Sequence, residues 1–220
     1  MRYNNNEVLS PHAFDIGDTA ALATLSAPIE VRLTAELPSK ATFEVSIRPL
    51  TNVPATESKA LAGIIRSSLE PSLILTKNPR SLVQLVVQSL SQARPDIWST
   101  TLAAAMINAS TLACLNSSSI PMRGIVTAVA AAKNRQGSLI ADPSNAELEE
   151  ATGIGCFAFM FSDDIEHTGD RSNCIWASWK SPTGGCNERE VFDARELAKR
   201  KAEEVYKSIR ASIAKKFGEE

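Results

Sequence analysis

Thr100-Thr101-Leu102-Ala103-Ala104-Ala105-Met106-Ile107-Asn108-Ala109-Ser110-Thr111-Leu112-Ala113-Cys114-Leu115 decides the architecture. Its length and strong helix formers predict one helix, which Asn116-Ser117-Ser118-Ser119 stops. Leu102, Ala105, Met106, Ala109 and Leu112 form its apolar stripe. The many alanines allow the backbone to lie close against a sheet. Strands are expected on either side of it in the chain.

Upstream, Phe14 to Thr19 reads as a turn-like opening, followed by an apolar strand Ala20 to Leu25 that stops at Ala27-Pro28. Phe43, Val45 and Ile47 alternate with Glu44, Ser46 and Arg48, the period of a half-buried strand. Leu61, Ile64, Ile65 and Leu69 share one face of a helix that opens at Thr56-Glu57. Ser81 to Ser91 is a second alternating strand, with Val83, Leu85 and Val87 pointing one way. Downstream, strands are expected at Arg123 to Ala132, Leu139 to Ala141, Gly153 to Phe161 and Asn173 to Lys180. A brief helix surrounds Glu147 to Ala151, and Glu188 to Phe217 is one long charged helix with Ala198, Ala202, Val205, Ile209 and Ile213 as its stripe. Strands and helices are interspersed without repeat or linker. The expectation is one α/β domain of mixed sheet over residues 1–220, with 1–9 flexible.

Composition excludes several classes. Apolar content of 44% and charged content of 22% are those of a folded chain. No apolar run approaches the roughly 18–20 residues that span a bilayer. The Asn-rich start does not read as a signal peptide. Four widely spaced cysteines and two histidines offer no clustered metal ligands, so no metal and no cofactor are expected. A net charge of −2 lacks the basic excess of a free-standing nucleic-acid binder. His12 and Asp15 have no nucleophile at a supporting spacing. Trp176 and Trp179 read as packing residues.

An ordered set of motifs runs along nearly the whole chain: His12-Ala13-Phe14-Asp15-Ile16-Gly17-Asp18-Thr19 with Ala23 to Val31, then Glu44-Val45-Ser46-Ile47-Arg48-Pro49 with Asn78-Pro79-Arg80-Ser81. Ile107-Asn108-Ala109 with Ile120-Pro121-Met122-Arg123-Gly124, and Asp142-Pro143-Ser144, complete it. In this order the set resembles the RNase PH family, and within it the ring subunits of the eukaryotic RNA exosome. The resemblance implies the RNase PH fold, two βαβα halves of mixed sheet with packed helices. It also implies a place in a six-membered ring beside other RNase PH-like subunits and S1- and KH-domain cap subunits. RNA would pass through the assembled channel, in nucleus, nucleolus and cytoplasm, with no membrane.

The family's phosphorolysis needs arginines on phosphate and carboxylates for a metal or proton. Carried over by position, the two arginine slots hold Ala103 and Glu70, and the two aspartate slots hold Ala146 and Thr152. Glu147, Glu149 and Glu150 lie near enough for a shifted register to supply one carboxylate. The expectation is a structural subunit with no catalytic residue. An active phosphate-dependent 3′-to-5′ exoribonuclease is the alternative. Lys77, Arg80 and Arg94 flank turns that, in the resembled fold, lead toward the RNA-facing cavity.

Overall fold

The computed structural model describes residues 12–16, 19–50, 56–91, 100–162, 172–181 and 187–217. Two four-stranded sheets sandwich a pair of helices, and a long helix covers the far side of the second sheet.

The first sheet contains β1 (His12–Ile16), β2 (Thr19–Glu30), β3 (Thr42–Arg48) and β4 (Ser81–Ser89) in the order β1-β2-β4-β3. Strands β3 and β4 are parallel and joined through α1 (Thr56–Leu69); the other pairings are antiparallel. The helix α2 (Thr100–Ser117) follows. The second sheet holds β5 (Ile125–Lys133), β6 (Leu139–Ala141), β7 (Gly153–Phe161) and β8 (Ser172–Lys180), ordered β6-β5-β7-β8 and wholly antiparallel. A five-residue helix α3 (Asn145–Glu149) links β6 to β7, and α4 (Glu188–Phe217) ends the described chain.

The alternating patterns place the first core. Val83, Leu85 and Val87 of β4 and Ala21, Ala23 and Leu25 of β2 are all buried on one face, against α1 and α2. The opposite residues Gln84, Val86 and Gln88 reach solvent in part or fully. In β5 and β7 nearly every residue is buried, because both faces are covered. Val126, Ala128, Ala130, Cys156 and Ala158 join the first core, while Val129, Phe157, Phe159 and Phe161 pack under Ala194, Ala198 and Ala202 of α4. Small residues on α4 let that helix lie low on the sheet. At Gly155 no side chain fits: a Cβ would sit 2.5 Å from the Ser178 carbonyl oxygen and from the Trp179 ring.

Three local expectations change. The opening segment read as a turn is strand β1, paired with β2 from His12↔Ala23 to Ile16↔Thr19; the reversal itself lies outside the described residues. Strand β2 does not stop at Ala27-Pro28 but continues to Glu30, absorbing the proline in a register shift between Ser26 and Ile29. The one-stripe reading of α2 is too narrow, since thirteen of its eighteen residues are buried, including Asn108, Ser110 and Thr111. Lying between two sheets, α2 has no solvent face to spend on polar residues.

Two of those polar residues, Asn108 and Thr111, serve the open edge of β5, while the Ser110 hydroxyl donates to the Met106 carbonyl of its own helix. Beyond its three-residue pairing with β6, that edge has no strand neighbour among the described residues. Asn108 takes the place of one: its Nδ2 donates to the Ala128 carbonyl at 2.8 Å and its Oδ1 accepts from the Ala128 N–H at 2.8 Å. One turn on, the Thr111 hydroxyl donates to the Val126 carbonyl at 2.8 Å. On the other side, the Asp142 N–H donates to the Ala130 carbonyl at 2.8 Å. Every second residue of the edge thus has a partner, as buried backbone requires.

Asn108→Leu keeps the size of the side chain and strands both Ala128 groups in the core. Each buried unpaired group costs about 1–3 kcal/mol. The expected outcome is a fall in melting temperature of roughly 5–15 °C, read by thermal denaturation monitored by circular dichroism.

Candidate functional site

The slots that would carry phosphorolysis fall on α1, α2 and the α3 turn, and each side chain is already engaged or silent. Ala103 sits in the first turn of α2, 3% exposed, with its methyl packed in the core. Glu70 follows the last turn of α1 and takes two cations: Lys40 Nζ at 3.0 Å and Arg66 Nε at 3.4 Å. Partial burial pushes its carboxyl upward, but the hydrogen bond and charge of Lys40, helped by Arg66, hold it below the ordinary glutamate value. An anion thus occupies the position, and two neighbouring cations are spent on it. Arg66 also lines a groove of about 700 Å³ between the 3-10 turn Leu33–Ala35, β3 and α1. Its rim mixes Arg32 and Arg66 with Glu30 and Glu44, so it presents no field of a single sign.

The carboxylates near α3 are arranged as a helix start. Ser144 is the N-cap, and its N–H and hydroxyl both donate to Glu147 Oε2 at 2.8 Å, while Glu147 returns its N–H to the Ser144 oxygen. These bonds to Ser144 hold the Glu147 carboxyl below its usual range. Glu147 therefore caps its own helix and is not turned toward the Ala146 position. Thr152 donates its hydroxyl to the carbonyls of Lys133 and Asn134 at 3.3 Å. Among the described residues no group of three or more His, Cys, Asp or Glu is placed to hold a metal.

Asp142 opens that turn in the left-handed region, φ 51°, a conformation aspartate and asparagine tolerate better than most residues. Its Oδ1 is buried without a hydrogen bond. Burial raises the carboxyl above the ordinary 3.8; the charge of Lys201 and the Ala130 backbone pull it down, and Glu204 pushes it up.

Of the basic residues singled out in the sequence, Lys77 ends a 3-10 turn and is exposed. Arg80 is also exposed, but its backbone is left-handed at φ 60°, its N–H donates to the Leu37 carbonyl, and its Nε meets Glu36 at 3.4 Å. It braces the turn as well as presenting charge. Arg94 lies outside the described residues. Lys77 and Arg80 lie at one end of the first sheet, in the turn just ahead of its interior strand β4. Trp176 and Trp179 point to opposite faces of β8, one into each core, so they form no common stacking surface. On α4, Lys201 pairs with Glu204 at 2.9 Å and Lys207 with Glu203 at 3.4 Å, so its outer face carries ion pairs.

The profile of the 3′ exoribonuclease family, domain 1, matches residues 12–121. The chain belongs to the RNase PH, 3′ exoribonuclease family. Among curated relatives, the exosome complex component RRP46 of Saccharomyces cerevisiae is 26% identical over 198 residues, 89% of this chain and 86% of the yeast protein. Among solved structures, rice (Oryza sativa) Rrp46 superposes with a TM-score of 0.76 at 19% identity, over 93% of this chain and 92% of the rice chain. An archaeal exosome core chain gives 0.63 at 14% identity, over 88% of this chain and 78% of its own. The RNase PH fold read from the motifs is therefore the fold of the chain.

The raised Asp142 carboxyl sets a pH dependence. Its folded form keeps a proton to higher pH than the unfolded form, so stability declines as pH rises from the ordinary value of 3.8 through the folded one. Asp142→Asn keeps the backbone preference and removes the charge. The variant is expected to melt higher than the wild type at neutral pH, with the gap closing below 3.8. Melting curves of both proteins across that range are the check.

Proposed function

We propose that the chain is a non-catalytic structural subunit of the RNA exosome ring, supporting 3′-to-5′ RNA processing and degradation, ribosomal RNA maturation included. The observation that carries this is likeness along nearly the whole length to a named exosome component, on a chain whose four phosphorolytic slots hold Ala103, Glu70, Ala146 and Thr152. Phosphoryl transfer depends on positioned cations around the phosphate. Here a buried methyl and an ion-paired carboxylate stand in their place.

In this reading the chain pairs with another RNase PH-like subunit, helps close a six-membered ring and carries S1- and KH-domain cap subunits above it. RNA affinity belongs to the assembly, in keeping with the net charge of −2. Lys77, Arg80 and Arg94 are the residues proposed to touch RNA in the channel. The nucleus, nucleolus and cytoplasm are the proposed locations.

A tagged chain purified from its own cells is expected to bring five other ring subunits with it. The chain alone, given phosphate, magnesium and single-stranded RNA, is expected to release no nucleoside diphosphate. Co-expression with the partner subunit should raise soluble yield and melting temperature by mass action. Purification without ring subunits, or phosphate-dependent diphosphate release that survives further purification, contradicts the reading.

A further inference from the structure

The second sheet extends one strand past the helix that covers it. Helix α4 buries Ala194, Ala198 and Ala202 over β5 and β7, leaving the same face of β8 only partly covered. Between β8 and the first turns of α4 lies a cavity of about 430 Å³, within the size range of specific binding pockets. Phe157 forms its floor, Cys174 and Ala177 one wall, and Val191, Phe192 and Arg195 the other, with Glu188 at the rim. Ala177 is exposed, and Phe192 is 53% exposed, rare for an aromatic ring with an apolar surface beside it.

Two further features say what fits. Strand β8 ends the sheet order, so among the described residues its outer backbone edge has no strand partner. Open edges of this kind accept an added strand. Arg195 is half-buried; its guanidinium reaches the Cys174 sulfur beside it, while its Nε is fully buried with no hydrogen bond. A buried guanidinium N–H without an acceptor calls for a carboxylate, its strongest partner. Glu188, at the exposed rim, makes no hydrogen bond to that Nε, so the N–H inside the cavity is left without an acceptor.

We propose that this groove takes an extended segment of a partner polypeptide, added to the free edge of β8. It seats one apolar side chain over Phe157 and Ala177 and one acidic side chain on Arg195. The assignment does not rest on the ring reading, because neither the slots nor the basic turn residues contribute to it.

The test replaces Phe192 with the photo-crosslinking analogue p-benzoylphenylalanine in the full chain, expressed in its own cells and irradiated there. Peptide sequencing by mass spectrometry then locates the attachment. The expected result is one dominant partner segment, with an acidic residue within a few positions of the attached one. Arg195→Gln should lower the cross-linked yield about tenfold, the effect of losing one charge-assisted hydrogen bond. Ala177→Arg, at an exposed position, should abolish it, and carries the test alone if Arg195→Gln melts early and Ala177→Arg keeps the wild-type melting temperature. Cys174 supplies a second readout: its alkylation by N-ethylmaleimide should slow when the partner is seated. Cross-links no stronger than from the analogue placed at Glu203, scattered over many proteins, mapped to a second copy of this chain, or indifferent to both variants overturn the proposal. Loss of ring subunits from the purified complex with the cross-link intact would sink the ring reading alone.

Discussion

One side chain lets two sheets share a helix. Asn108 presents its amide to Ala128 as a neighbouring strand would, accepting from the N–H and donating to the carbonyl. Without it, α2 would face a bare strand edge inside an apolar layer, and the cost of those unpaired groups would work against packing the halves together. With it, the helix abuts the edge of β5 on one side and the face of β2 and β4 on another. Thr111 and the Asp142 backbone extend the same arrangement by one residue pair each way. The layers of the domain depend on this junction.

The junction also explains how much was legible in the sequence. Alternation located β3 and β4 and the faces they bury, since one side of each meets solvent: Gln84 and Gln88 oppose Val83, Leu85 and Val87. In β5 and β7 both faces are covered, so periodicity gave the strands but not their neighbours. The polar residues of α2 held the missing signal. Asn108 and Thr111 in an otherwise Ala-rich apolar helix are expensive unless they bond to backbone, and that expense points to a strand edge. Proline in β2 misled because an edge-like shift absorbed it, and the pairing partner that makes this workable is distant in sequence.

The site was legible as a set of substitutions and less so as geometry. Ala103 and Glu70 stand where the resemblance asks for cations, and the structure adds what each does there. Glu70 is not merely an absent arginine but the centre of a three-residue ion cluster with Lys40 and Arg66. Glu147, the carboxylate nearest the Ala146 slot, is committed to Ser144. Arg195 carried no motif and sits on a helix crowded with other charged residues, so nothing short of its surroundings marks it.

The capped edge of β5 has a consequence for growth. Its free backbone is consumed by side chains on one flank and by the three-residue β6 on the other, and a strand that short is a poor template for further pairing. The second sheet is therefore polar as a building block, sealed at one end and open at the other. Blocks of that kind add in one direction only, and a stack cannot propagate through both ends of the same sheet. Runaway fibre formation through this sheet is closed off by an asparagine in the middle of a helix.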